Sequence, residues 1–217
     1  MDPIYHFPRF LSPEQVEQLV QLTVAKQDSF RGAAGRGSLG PRYEVMAGDD
    51  VRAELPELMT LWEQRIQPLA ADLAGEAIEL FASPRRAVRV QRYAQRDHGF
   101  RWHFDGHRYA ALLTLQNTNA GVTEYVAPGL SRVLRFALYP LYPFPQVFSF
   151  APHRGIAAAA GDLVLMRGRD LLHRGVTLED DGERLLVVFA YDGVGRRPNP
   201  VRDRIARWLN FSQGGAN

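Results

Sequence analysis

Arg101-Trp-His-Phe-Asp-Gly-His107 is the stretch on which the reading of the whole chain turns. The run leading into it has the pattern of a β-strand. Side chains along a strand alternate between faces, so His103 and Asp105, two apart, leave the same one. An imidazole beside a carboxylate is half of a metal site. The other half lies far downstream, in Gly161-Asp-Leu-Val-Leu-Met-Arg-Gly-Arg-Asp-Leu-Leu-His173, where a short apolar strand, Leu163 to Met166, is followed closely by His173. Two imidazoles and one carboxylate on one face, with the opposite positions open, form a facial ligand set suited to non-haem Fe(II).

A fourth residue sharpens the reading. After His173, Glu179-Asp-Asp-Gly-Glu183 is a turn signal, with Asp181-Gly182 as the tight step. Arg184 then opens the apolar run Leu185-Leu-Val-Val-Phe-Ala-Tyr191. The chain is expected to fold back here and lay Arg184 on the strand beside the one ending near His173. A guanidinium within reach of a metal is a bidentate receptor for a carboxylate. That is what 2-oxoglutarate requires, since its keto-acid end can chelate iron while its far carboxylate pairs with Arg.

His-x-Asp, a distal His and a basic residue about ten positions on resemble the Fe(II)/2-oxoglutarate-dependent dioxygenases. Within that superfamily, three further stretches are similar to the prolyl-4-hydroxylase-like branch. Phe10-Leu-Ser-Pro-Glu-Gln-Val-Glu-Gln-Leu19 resembles its first helix. Arg89-Val-Gln-Arg-Tyr93 resembles the strand whose Tyr helps hold the cosubstrate, and Gly121-Val-Thr-Glu-Tyr125 its Gly-Gly-x-Thr-x-Phe turn. The sequence departs from the pattern where Ala120-Gly121 replaces the Gly pair and Gln95 stands where Gly is usual.

The resemblance implies a fold and a chemistry. The fold is α+β, mainly β: a double-stranded β-helix (jelly-roll) core with N-terminal flanking helices, in one domain spanning residues 1–217. The implied division is a helical layer over about 12–75, a jelly-roll core over about 85–192 and a C-terminal helix over about 201–209. His103, Asp105 and His173 would hold Fe(II). Arg184, helped by Tyr93, would clamp 2-oxoglutarate. With O2, the cosubstrate would be converted to succinate and carbon dioxide while a substrate C–H bond is oxidised, ascorbate being an optional reductant. A carboxylate at Asp105 argues for hydroxylation over halogenation, because halogenating relatives leave that position free for halide.

The rest of the chain reads as scaffold and walls. Ser12 is placed to cap a helix with Pro13 at its first position and Gln15 reaching back, the helix running to about Gln27. Residues 31–50 read as a Gly-rich connection and a candidate lid. Their G-x-G-x-x-G match, Gly35 to Gly40, lacks the strand before it and the helix after it that phosphate binding needs. A helix is expected from about Val51 to Gly75, with Pro56 in its first turn, Pro68 kinking or splitting it and Trp62 in the core. From Val88 the period changes to two; if Tyr93 faces the metal, Arg89 and Gln91 share its face and would contact substrate. His98 and His107 read as supporting or surface residues, since the ligand set is already complete. Tyr109 to Leu115 reads as a strand returning antiparallel, with Thr114 towards the cosubstrate tail. Residues 126–152 read as a Pro-rich, aromatic, substrate-shaping loop, with Tyr139 and Tyr142 as its contact residues.

Composition narrows the function classes. With no cysteine in 217 residues, neither a disulfide framework nor a thiolate zinc site can form. A net charge of +2 is weak support for a nucleic-acid partner, and although Lys26 is the only lysine, arginine enrichment also follows from base composition. Asp2, Pro3, His6 and Pro8 interrupt any signal-like run, and no apolar stretch reaches spanning length, so a cytoplasmic protein is expected. Two other readings stay open: a cupin-like metal oxygenase without 2-oxoglutarate, and a non-catalytic jelly-roll binding protein. The substrate would be a small amino-acid-like molecule or a peptidyl side chain. Nucleic acid and membrane are not expected as partners.

Overall fold

The structure is a computed structural model that describes residues 3–34, 42–96, 98–118, 121–137, 145–176, 178 and 182–196. Two antiparallel sheets face one another. The smaller runs β6 (Phe100–His103), β11 (His173–Gly175), β8 (Thr123–Val126), β9 (His153–Ile156). The larger is built on β10 (Leu163–Met166), β7 (Tyr109–Asn117), β12 (Arg184–Gly193) and β5 (Val88–Tyr93). It is extended by β1 (Ile4–Phe7) at one edge and by β3 (Arg42–Met46) and β2 (Arg31–Ala34) at the other, while β4 (Ile78–Leu80) pairs with the far end of β12. From β5 to β12 the chain passes repeatedly between the two sheets, which is the jelly roll.

The sequence of β12 explains how the sheets are held. Both its faces are buried, so it reads as an unbroken apolar run rather than an alternating one. Leu185, Val187, Phe189 and Tyr191 face a core shared with the helices, whereas Arg184, Leu186 and Val188 face the space between the sheets. The helical layer covers the larger sheet. α1 (Pro13–Val24) starts at a complete capping box: Gln15 N–H donates to Ser12 Oγ, and Ser12 N–H to Gln15 Oε1. It buries Val16 and Leu19. Trp62, 2% exposed, stacks on Phe189 at 5.3 Å and meets Tyr191 at 5.2 Å, the burial that fixes the layer.

Several expectations are corrected. α1 ends at Val24, and Gln27–Ser29 is a separate 3₁₀ turn. Residues 31–50 are not one connection: β2 and β3 form an edge hairpin and α2 (Gly48–Glu54) begins within them. The expected helix over 51–75 breaks at Leu55; α3 (Pro56–Leu61) and α4 (Gln67–Ala74) are joined by a π turn, Trp62–Ile66. Gln67 N–H reaches back to Trp62 O there. Pro68 has no N–H to give, and the wider turn before it carries the helix through. β7 does not pair with β6: it lies in the opposite sheet, between β10 and β12. Pro84–Ala87 is a short helix (α5), and within the 126–152 excursion Pro128–Ala137 is a helix (α6) and Pro145–Phe150 a 3₁₀ helix. Tyr139, Tyr142 and the C-terminal helix expected at 201–209 lie outside the described residues. Among the described residues, no helix is long and apolar enough to cross a membrane.

Candidate functional site

The cavity between the sheets is lined by His103, Asp105, His173 and Arg184. His103 ends β6 and His173 begins β11, and the two are register partners, so their rings meet at 4.2 Å between centroids. Asp105 follows just after β6. Its Oδ1 lies 3.4 Å from His103 Nε2 and its Oδ2 3.7 Å from His173 Nε2. One ligand atom from each of the three falls within 4.8 Å of the others.

The imidazoles are oriented by the backbone. His103 Nδ1 is 2.9 Å from the Arg101 carbonyl, and His173 Nδ1 is 2.9 Å from the Leu171 carbonyl. A carbonyl only accepts, so each Nδ1 donates and each ring turns its Nε2 toward the cluster. Burial pushes His173 down to about 4, helped by the neighbouring His103 and opposed by Asp105. Burial also works against the Asp105 charge, but His107, His173 and the bond from His103 outweigh it and hold the carboxyl well below its usual range. With His173 held neutral and Asp105 ionised, the cluster presents the donor types that a metal needs.

Two residues lie against Asp105, and of these Gly168 carried no signal in the sequence. Gly168 passes so close that a Cβ there would sit 1.8 Å from Asp105 Oδ2, and Asp105 N–H donates to Gly168 O at 2.9 Å. His107 is buried, with Nε2 3.2 Å from Asp105 Oδ2. Its expected supporting role fits that position. His98 is buried away from the ligands and accepts the Ala94 N–H on Nδ1.

Arg184 reaches the cavity by another route than expected. β12 and β11 are not neighbours in one sheet; they face each other across the cavity. Arg184 is 3% exposed. Its Nη2 donates to Thr123 Oγ1 at 2.9 Å and its Nη1 to Val122 O at 3.4 Å, while Nε has no partner. Among the described residues no carboxylate pairs with it, and burial lowers its pKa against the pull of Tyr93. A Cβ on Gly121 would meet Arg184 Cδ at 2.8 Å, so the glycine leaves room for the side chain. Asn117 holds that turn in place, accepting from Gly121 N–H and donating to the Gly121 and Ala158 carbonyls.

Arg89, Gln91 and Tyr93 all line the cavity, as period two from Tyr93 requires. The Tyr93 hydroxyl donates to Gln91 Oε1 at 3.0 Å. Tyr43 of β3 packs on Tyr93 and Phe100, so the edge hairpin builds part of the site wall. Thr114 is buried but is not among the cavity-lining residues. A register shift sets Leu186 against Thr114 and Arg184 against Asn117, and Thr123, from the facing sheet, takes the place beside Arg184. Thr123 sits in the Gly121–Tyr125 motif, which was the signal available for it.

No family model matches the chain, and no curated protein matches it in sequence. Solved structures do. The non-heme alpha ketoglutarate dependent carbocyclase SnoK from nogalamycin biosynthesis superposes with a TM-score of 0.69 at 19% identity, covering 99% of this chain and 90% of its own. The non-heme alpha ketoglutarate dependent epimerase SnoN, from the same biosynthesis, gives 0.65 at 19% identity, covering 100% and 87%. HygX from Streptomyces hygroscopicus, solved with nickel and 2-oxoglutarate bound, gives 0.65 at 17% identity, covering 91% and 85%. What this chain shares with these proteins is the jelly-roll fold.

Proposed function

We propose that the chain is an Fe(II)- and 2-oxoglutarate-dependent oxygenase that oxidises a C–H bond of a small molecule. One observation carries the reading: a His103–Asp105–His173 cluster and a buried Arg184 with no carboxylate of its own among the described residues line one cavity. A buried guanidinium without a counter-ion is costly, and a ligand carboxylate would relieve that cost.

The donor set fits the metal. Backbone bonds at both Nδ1 atoms leave Nε2 of each ring facing the cluster, the carboxylate is ionised, and Gly168 leaves the space that Asp105 occupies. His103, Asp105 and His173 would hold Fe(II). Bound there with 2-oxoglutarate, the iron would supply O2 activation coupled to decarboxylation to succinate. Arg184 and Thr123 would fix the distal carboxylate of the cosubstrate, with Tyr93 packed beside them. Leu186, two residues along β12 on the same face as Arg184, gives that end of the cavity an apolar wall. With Asp105 filling the third protein position, hydroxylation is the outcome we assign, over halogenation.

The fold neighbours support this reading. SnoK and SnoN are described as alpha ketoglutarate dependent, SnoN has been solved with Fe3+, alpha ketoglutarate and nogalamycin RO, and HygX with nickel, 2-oxoglutarate and hygromycin B. They favour a small-molecule substrate over a peptidyl one. The prolyl-4-hydroxylase-like resemblance rests on the stretches Phe10–Leu19, Arg89–Tyr93 and Gly121–Tyr125.

The test is anaerobic. Fe(II) and 2-oxoglutarate added to metal-free protein should give the weak visible charge-transfer band of the chelate. The band should vanish in His173→Ala and need at least tenfold more 2-oxoglutarate in Arg184→Ala. Folded, iron-loaded protein without the band would overturn the reading.

A further inference from the structure

We infer that the substrate carries a carboxylate, held by Arg89 and Gln91 at the end of the cavity away from Arg184. The inference rests on the proposed reaction and names its substrate class.

Register sets the geometry. On β5, Tyr93 lies opposite Arg184, Gln91 opposite Leu186 and Arg89 opposite Val188. At roughly 3.3 Å per residue, Arg89 is about 13 Å along the strand from the Arg184 level. Gly175, whose Cβ position is 3.8 Å from Arg184 Nη1, and Phe100 mark that first level. His103 and His173 come next, then Asp105 and Gly106, where the Arg86 guanidinium passes. A cosubstrate clamped at Arg184 and chelated at the cluster is used up before Arg89, which faces the space left for the substrate.

Charge sets the chemistry. Among the described residues lining the cavity, Asp105 is the one carboxylate, and it belongs to the metal cluster. Arg174 spends its charge on Glu124 at 2.7 Å. Arg89 has no ion-pair partner among the described residues, and its Nε is shielded from solvent without a hydrogen bond. Gln91 is 5% exposed, and with its Oε1 accepting from the Tyr93 hydroxyl it has amide N–H groups to donate. A planar guanidinium beside the Gln91 amide, in a cavity whose one lining carboxylate among the described residues is Asp105, matches a carboxylate better than a neutral group.

The probe is phenylacetate against phenylacetamide, equal in shape and different in charge, added to protein loaded with Mn(II) and saturating 2-oxoglutarate at low ionic strength. Calorimetry should find the acid bound at least tenfold more tightly than the amide. Arg89→Gln should remove that preference while leaving the Kd of 2-oxoglutarate within twofold. Equal binding of acid and amide, or an acid preference that survives Arg89→Gln, would overturn the inference. So would a parallel loss of 2-oxoglutarate, which would make Arg89 part of the cosubstrate site. If 2-oxoglutarate fails to bind the Mn(II) protein at all, it is the proposed reaction that fails, and the acid–amide comparison on metal alone still reads Arg89. Should Arg89→Gln not fold, Gln91→Leu provides the same comparison, with a smaller loss of the acid preference expected.

Discussion

Replacing Gly168 with alanine puts a methyl group where the Asp105 carboxylate lies. The added Cβ would stand 1.8 Å from Oδ2 and 2.7 Å from Cγ. A non-bonded carbon–oxygen contact needs about 3.2 Å, so the oxygen must retreat by roughly 1.4 Å. The backbones cannot separate instead, because Asp105 N–H is bonded to Gly168 O. Metal–ligand distances tolerate only about 0.2 Å, so the carboxylate would be lost as a ligand. Disturbing a group that merely orients a ligand costs about 10- to 100-fold in metal affinity, so displacing the ligand itself should cost at least about 100-fold. Gly168 is not among the glycines with positive φ, so alanine suits the backbone and the clash falls on the end of one side chain. The unfolding temperature should fall by no more than about 4 °C, the scale of 1 kcal/mol for a chain of this size. Anaerobic calorimetric titration with Mn(II) or Fe(II) measures the first effect and a thermal melt the second. Gly129→Ala on α6, with nothing within 4 Å of the new Cβ, is the control. Wild-type metal affinity in a folded Gly168→Ala protein would refute the assignment of Asp105 as a ligand.

Thr123→Val removes the acceptor from Arg184 Nη2 without changing the shape of the side chain. It should raise the Kd of 2-oxoglutarate by about 5- to 20-fold, the scale of one buried hydrogen bond, and leave metal binding unchanged. Trp62→Ala should destabilise the fold by about 3–5 kcal/mol in denaturant titrations, while the metal affinity of the folded fraction stays that of wild type. Asp162 accepts from Arg9 N–H and Ala159 N–H and pairs with His6, tying β1 to the turn before β10; Asp162→Asn should cost about 1.5–3 kcal/mol. Burial raises the Asp162 pKa, but these bonds outweigh it and leave it lowered. The contribution of its charge is therefore present above the unfolded value of about 3.9 and lost as pH falls through the lower folded one. The stability gap between wild type and variant should close only below about pH 4, and a gap that closes between pH 7 and 5 would contradict the assignment.

How far the sequence reaches depends on whether a feature is local. The spacing of His103 and Asp105 and the parity of Arg89, Gln91 and Tyr93 follow from the period of a strand, which its own residues set. The start of α1 follows from Ser12, Pro13 and Gln15, whose bonds close within one turn. The buried run of β12 was visible as an apolar stretch beginning at Arg184. Period two says which residues share a face; it does not say which sheet a strand joins. For that reason β7 and β12 were expected beside the wrong partners, and Arg184 was expected beside His173 rather than across from it. The same limit put Thr114 where Thr123 stands, since a register shift in one strand and a residue from the facing sheet decide that contact together. Nothing near Gly168 in the sequence marks it as the neighbour of Asp105, because a close approach of two backbones belongs to neither segment alone. The chain by itself determined which residue types stand ready as candidate ligands, the arginine that opens β12 and the faces of single strands, all consequences of short-range geometry. Only the tertiary structure decided how those faces were brought together, because pairing between strands distant in sequence is set by the packing of the whole core.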